Sequence, residues 1–308
     1  MKDIYTWSND MYPLVKKSFD ERYNSRINII GSVADIVKQD NTEYKAQSLG
    51  GYGELQAYTN NTLTHAGTSG TFNTKITPAE HALALSVSYK DVKGNFVEEA
   101  KRIGTRLADS AYMTVLSAFY KFFTGARTNT GYDGVATANA NHPVSNGSSD
   151  KFSNIMTQAL SVSAISAAQT KANTYVTADG LPFVSNLDLL LVSPELEETA
   201  RTICGVDARV CPQSHPDTGI GANPAYGMHY MVIGAGTTKL DEKEWIVADS
   251  TLLREVFKLV YITEPTVLVS PGDNPLVADY IAYVDFAFGL SDARPLIFCK
   301  APADKEDI

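Results

Sequence analysis

Apolar positions along this chain change period several times, and each change marks an element. Between residues 95 and 124, Ile103, Leu107, Ala111 and Val115 recur every four residues, joined by Leu116, Phe119, Phe122 and Phe123. Lys101, Arg102, Arg106, Asp109 and Lys121 fall between them, so the segment predicts an amphipathic helix that stops at Gly125. At 1.5 Å per residue such a helix is a rod of about 40 Å, long for a compact globule. Before it, Leu83, Leu85, Val87 and Tyr89 alternate with small or polar neighbours, the period of a half-buried strand. Residues 52–58 and 72–92 are therefore expected to form a long β-hairpin around a polar tip at 59–71. Two strands alone are marginally stable, so such a hairpin is expected to be covered by another subunit. A short helix is predicted within 14–23, where Val15, Phe19 and Tyr23 share one face.

Beyond the long helix, the pattern becomes a Gly-, Asn-, Ser- and Thr-rich loop over 126–152 and a helix over 153–174 with Ile155, Met156, Ala159, Leu160 and Ile165 inward. An unbroken apolar run, Leu187 to Val192, then leads directly into Ser193-Pro194-Glu195. Ser193 is the natural N-cap and Pro194 fits the first helical position, where a missing N–H costs nothing. Glu195, Glu197 and Glu198 suit the positive end of that helix, and Leu196, Ala200 and Ile203 give it an apolar face. After an irregular, Pro- and Gly-rich stretch at 204–227, short strands are predicted at 230–233, 245–248, 259–262, 267–269 and 276–288. The tail at 301–308 is charged and expected to be loose.

Composition narrows the function. The 308 residues are 44% apolar, enough for a sizeable core, and carry a formal charge of −9. An acidic balance without a clustered basic face argues against tight gripping of a nucleic-acid backbone. Cys204, Cys211 and Cys299 are too few and too scattered for a disulfide framework or zinc site, so free thiols in a reducing compartment are expected. No apolar run reaches the ~18 residues of a membrane span. The N-terminus has no apolar signal core, so a soluble, cytoplasm-made chain is expected.

No catalytic constellation emerges. His142, between Asn141 and Pro143, has no nucleophile motif to serve, and a loop or packing role is expected for it. His65, His81, His215 and His229 are isolated. Gly219-Ile220-Gly221 and Gly234-Ala235-Gly236 lack the spacing of a dinucleotide or phosphate loop and read as turns. Asp241-Glu242 and the 195–198 acids read as a solvated turn and a helix start rather than a metal site, so no metal and no cofactor are expected. The 16 tyrosines suit large subunit contacts.

The order of elements resembles the major capsid proteins of tailed phages, with the Hong Kong 97-like α+β fold, and among them the Mu-like major head subunits. The resemblance rests on Gly131-Tyr132-Asp133-Gly134-Val135 with Asn141-His142-Pro143, the helix from Ser153, and the Leu187-to-Ile203 strand–helix unit. It implies an N-terminal arm at 1–45, an extended loop at 46–94, and a peripheral domain at 95–186 built on a spine helix at 95–124. An axial domain at 187–285 and a return strand to the peripheral domain with a tail at 286–308 complete it. Arm and loop would order only when covered by neighbours. The extended loop would touch a neighbouring subunit through Tyr58, Asn60, His65, Phe72 and Lys75. Some capsids of this fold cross-link a loop lysine to a neighbour's asparagine, but nothing identifies a partner for Lys75. The resemblance further implies a non-enzymatic shell protein of hexamers and pentamers, with scaffold, portal and decoration proteins as partners, enclosing double-stranded DNA. It would be assembled in the host cytoplasm and carried in the virion, with no membrane. The short arm implies a separate scaffold or one already removed. An encapsulin-type compartment uses the same fold and is the nearest alternative; a small-molecule enzyme with a β-rich domain at 228–290 is the other.

Overall fold

The computed structural model describes residues 4–26, 28–50, 53–55, 57–58, 65, 70–88, 96–205, 223–271 and 277–302. The chain divides into two compact units. The first comprises Met1–Tyr44, Ile76–Phe119 and Lys258–Gly289; the second comprises Lys45–Lys75, Tyr120–Phe257 and Leu290–Ile308.

In the first unit a helix, α1 (Ile4–Asn24), lies against the long helix α2 (Phe96–Thr124). A four-stranded sheet completes the unit, in the order β1 (Asp35–Lys38), β13 (Phe257–Pro271), β14 (Val277–Leu290), β4 (Ala79–Ser88). β1 runs parallel to β13, and β14 pairs antiparallel with β4 from Val277↔Ser88 to Phe286↔Ala79. Burial alternates along most of β14, so one face of the sheet turns inward. Ala278, Tyr280 and Ala282 from that face pack with Ile103, Leu107 and Ala111 of α2 and Val15 and Phe19 of α1.

The predicted long helix appears with nearly the expected bounds. The arm differs from expectation, because α1 docks on its own subunit rather than waiting for a neighbour. It also runs through Pro13, which removes one helical hydrogen bond and costs about 3 kcal/mol in a helix interior. Tertiary contacts offset that cost. Val15 and Phe19 are buried, Tyr12 Oη donates to Val267 O at 2.9 Å, and Tyr280 Oη donates to Ser8 O at 2.9 Å. Arg22 Nε donates to Asp109 at 2.9 Å, and Arg26 converges on the same carboxylate.

The predicted hairpin is rearranged. β2 (Tyr44–Gln47), not residues 52–58, pairs with β3 (Asn73–Ile76). The described residues among 52–58 form no strand, and most of the 59–71 tip lies outside the described residues. The expected 72–92 strand breaks at Thr77-Pro78, because proline lacks the N–H a ladder needs. Its second half, β4, pairs with β14 instead.

The second unit holds a five-stranded sheet in the order β7 (Ile155–Met156), β15 (Leu296–Lys300), β12 (Glu244–Ala248), β8 (Leu189–Val192), β9 (His229–Val232), and two short antiparallel pairs, β5 (His142–Pro143) with β6 (Lys151–Phe152) and β10 (Gly234–Ala235) with β11 (Thr238–Lys239). β8 and β12 are buried throughout, as a continuous apolar run requires when both faces of a sheet are covered. Helices α3 (Val162–Ala172) and α4 (Glu197–Cys204) supply Ala164, Ile165, Ala168, Ala200 and Ile203 to a core with Leu190, Val192, Trp245, Val247 and Ile297. A shorter helix, α5 (Ser250–Val256), is capped by Asp249, whose carboxylate accepts from Thr251 N and Leu252 N at 3.0 and 2.9 Å.

Three sequence expectations change here. The helix expected from 153 begins only at Val162, where the Ser161 side chain accepts from Ala164 N; Ile155 and Met156 are drawn into the sheet beside Phe298 and Cys299. Ser193 precedes a single 3₁₀ turn, Pro194–Leu196, but its hydroxyl donates to Glu242 O at 3.2 Å and makes no cap bond. The strand at 296–299 does not leave this sheet, since β15 lies between β7 and β12, whereas β13 and β14 belong to the first unit. The alternating burial of β14 suits a one-sided sheet, and the buried run Leu296–Cys299 suits a two-sided one.

Candidate functional site

The residues expected to reach a neighbour sit differently. Tyr58 is 62% exposed, and His65 and Lys75 are exposed. Phe72 is half-buried within its own unit, its ring edge-on to Tyr132 at 5.3 Å, and its backbone exchanges hydrogen bonds with Ser48. Asn60 lies outside the described residues.

The Gly131–His142 stretch folds into a closed loop of the second unit. Gly134 has φ of 85°, a left-handed turn that favours glycine, and Gly131 N donates to Val135 O at 2.6 Å. The turn delivers Asp133 to His142, whose Nδ1 lies 2.6 Å from Asp133 Oδ2, while Nε2 lies 3.2 Å from Asn154 Oδ1. The Asn154 amide in turn accepts from Asn139 N and donates to Thr137 O, each at 2.8 Å. Tyr132 and Phe152 stack on the imidazole at 6.2 and 5.1 Å. Both the His142 and Asp133 side chains are 0% exposed. No substrate reaches a ring closed on every side, so this cluster fastens the loop and the sequence expectation of a loop role agrees with its placement.

Asp292 and Arg294 form a second buried pair. Arg294 Nη1 donates to Asp292 Oδ2 at 2.6 Å, Nη2 donates to Val144 O, and the guanidinium sits 5.2 Å over the Phe152 ring. Asp292 also accepts from Leu49 N at 3.1 Å, so the pair ties segments distant in sequence. Only one signal pointed to it, a charged Ser-Asp-Ala-Arg stretch between two apolar strands. Cys204 and Cys299 are buried and free, and burial pushes their thiols up to about 11 and about 12, away from nucleophilic use. Among the described residues no group of His, Cys, Asp and Glu could hold a metal ion, and no helix is long and apolar enough to cross a membrane.

The first unit presents a different kind of surface. β4 is the outer strand of its sheet, and Ala79 through Ala84 are exposed. Between β4, β14 and α2 lies an open groove of about 440 Å³ lined by Glu80, His81, Leu83, Ser110, Thr114 and Tyr283. Leu83 is 51% exposed, and Met113, on α2, is 52% exposed. Outer strands with exposed apolar residues are edges that proteins either protect or use for association.

Similarity to known proteins points the same way. The chain is similar to the capsid of a native GTA particle, with 14% identity and a TM-score of 0.57 over 89% of this chain and 90% of the other. It is similar to a protein of Microbacterium phage Oxtober96 at 11% identity and TM-score 0.54, over 89% and 91% of the two chains. The procapsid of bacteriophage JBD30 aligns at 10% identity and TM-score 0.53, over 96% of this chain and 76% of the other. At such identities these likenesses establish a shared Hong Kong 97-like fold. No curated protein matches the chain in sequence. The sequence profile of the family described as phage capsid protein matches residues 70–298, which take in α2, most of both sheets and the fastened His142 loop. On that match, covering most of its length, the chain belongs to the phage capsid protein family.

Proposed function

We propose that this protein is the major capsid subunit of a virion head, assembling through hexamers and pentamers into an icosahedral shell around double-stranded DNA. The family match over 70–298 carries this reading, because the fold it spans is one whose solved examples include shells. The first unit serves as the peripheral domain with α2 as its spine, and the second as the axial domain. Residues 46–94 supply the extended loop, where exposed Tyr58, His65 and Lys75, together with Asn60, meet a neighbour; Phe72 is held to Tyr132 within its own unit. A net charge of −9 suits a wall that encloses DNA without gripping it. Scaffold, portal and decoration proteins are the expected partners, assembly takes place in the host cytoplasm, and the role is structural rather than catalytic. Repeated heterologous contacts whose rotations close produce such a shell.

Electron microscopy of the purified chain, with any scaffold co-expressed, tests this directly. Shells, tubes or isolated capsomers are expected, and the variants Leu83→Glu and Met113→Glu are expected to reduce them while leaving the subunit folded. Compact monomers alone at high concentration would overturn the assignment.

A further inference from the structure

The outer strand of the first unit's sheet carries a pair of charges that its own subunit leaves unanswered. Glu80 of β4 stands directly opposite Asp285 of β14. Residues opposite one another share a face of the sheet, here the face away from Ala278, Tyr280 and Ala282, which pack on α2. Like charges in that relation repel and weaken the strand pair. Asp285 is only 7% exposed, and its Oδ1 is shielded from solvent without a hydrogen-bond partner. Burial first, and then Glu80, push its carboxyl above the ordinary range, while His81 opposes them. Asp279 repeats the pattern further along the same face, where its Oδ1 is also shielded and unpartnered. A shielded carboxylate is costly to keep unless a cation meets it.

The surroundings indicate what kind of cation fits. Glu80 is exposed and held in place by Tyr283, whose Oη donates to Glu80 Oε1 at 2.9 Å. Ala82 and Ala84, next on the same face of β4, are small and exposed, so the approach is open. Among the described residues no Lys or Arg pairs with Glu80 or Asp285. No third acidic, His or Cys ligand joins them there, which leaves a hard metal ion short of protein oxygens. A guanidinium or ammonium group needs no more than the two carboxylates. The chain carries such groups on its own surface: Arg106 on α2 and Arg201 on α4 are exposed and have no carboxylate partner among the described residues.

We propose that Glu80 and Asp285 form a seat for a basic side chain of a second copy of this chain, making the outer edge of β4 a charged contact between subunits. The proposal rests on the shell-forming reading above. Repulsion within one subunit becomes attraction between two, so the pair opposes the isolated fold slightly and favours association.

The test measures Asp285→Asn and Glu80→Gln against wild type in two states. In the unassembled subunit each change removes the repulsion and is expected to raise Tm. In assembly, followed by light scattering and electron microscopy with any scaffold co-expressed, each is expected to raise the threshold concentration about tenfold or more, because the neighbour's cation loses its partner. Were the two carboxyls merely sharing a proton, the amide could donate in its place and neither quantity would move. In a density map of wild-type particles, a Lys or Arg nitrogen of a neighbouring subunit is expected within about 4 Å of Asp285 or Glu80. A metal ion, a scaffold side chain or solvent in that position would overturn the seat, as would an unchanged threshold in both variants. Wild-type chain that forms no assembly at any concentration overturns the shell reading and the seat together; wild type and both variants assembling alike overturns the seat alone.

Discussion

Gly104, on the face of α2 that meets α1, offers a sharp test of the docked arm. A Cβ built there would lie 2.4 Å from Val15 O, 3.0 Å from Ser18 Cβ and 3.1 Å from Phe19 N. Carbon and oxygen are in comfortable contact near 3.5 Å, so α1 must retreat by about 1 Å to admit one methyl group. Two effects oppose each other in Gly104→Ala. Helix propensity favours alanine by about 1 kcal/mol in a helix interior. Overpacking against backbone, which cannot rotate away, costs about 1–3 kcal/mol. The ceiling on the loss is the burial of Val15 and Phe19, which are 0% and 1% exposed and worth about 1.5–3 kcal/mol each. A net destabilisation of up to about 2 kcal/mol is therefore expected in the full chain. The assay is urea unfolding of unassembled protein, alongside trypsin cleavage at Lys16 and Lys17, both exposed but held in α1. The sign should reverse when residues 1–24 are removed, since only propensity then remains and alanine should stabilise by about 1 kcal/mol. Equal stabilisation by Gly104→Ala in both backgrounds, with the trypsin sites still protected, would refute the docking argument.

Other expectations concern the charges and thiols. Arg294→Met leaves Asp292 buried without its counter-charge and is expected to cost about 3–5 kcal/mol by equilibrium unfolding, far more than removing an exposed pair such as Lys17–Glu21. Hydrogen bonding from Arg22, with help from Arg26, holds the Asp109 carboxyl below its ordinary value. Its contribution is thus present above the usual carboxylate range and lost as pH falls through the depressed value, so the stability gap between wild type and Asp109→Asn should narrow on acidification. In a Cys211→Ser variant at pH 8, Cys204 and Cys299 should resist thiol reagents until the protein unfolds; rapid labelling of the native protein would contradict their burial.

Much of this molecule follows from local pattern. A four-residue apolar period can be satisfied only by a helix with one buried face, which is why α2 appears almost where the spacing put it. The apolar runs at 187–192 and 245–248 read as strands, and they form the core of the buried strands β8 and β12. The loop role of His142 was legible too, from the lack of any nucleophile motif. The broader family matches the resemblance seen in the residues, while the Mu-like subgroup remains the finer expectation.

Partner choice was not legible, because it depends on surfaces distant in sequence. Periodicity shows that β4 has an inward face, but not that it pairs with β14 some two hundred residues away rather than with its neighbours. Pro13 reads locally as a helix break, and only the burial of Val15 and Phe19 against α2 and β14 carries α1 through it. The assignment of β14 to one unit and β15 to the other was decided in the same way, by which core each strand's burial pattern could complete. The sequence by itself determined the long helix, the buried strands at 189–192 and 245–248, and the lack of a recognisable catalytic motif. Only the tertiary structure decided the pairing of strands, the docking of the arm, and the closing of Asp133 and Asn154 around His142, since these are set by long-range packing that no local period encodes.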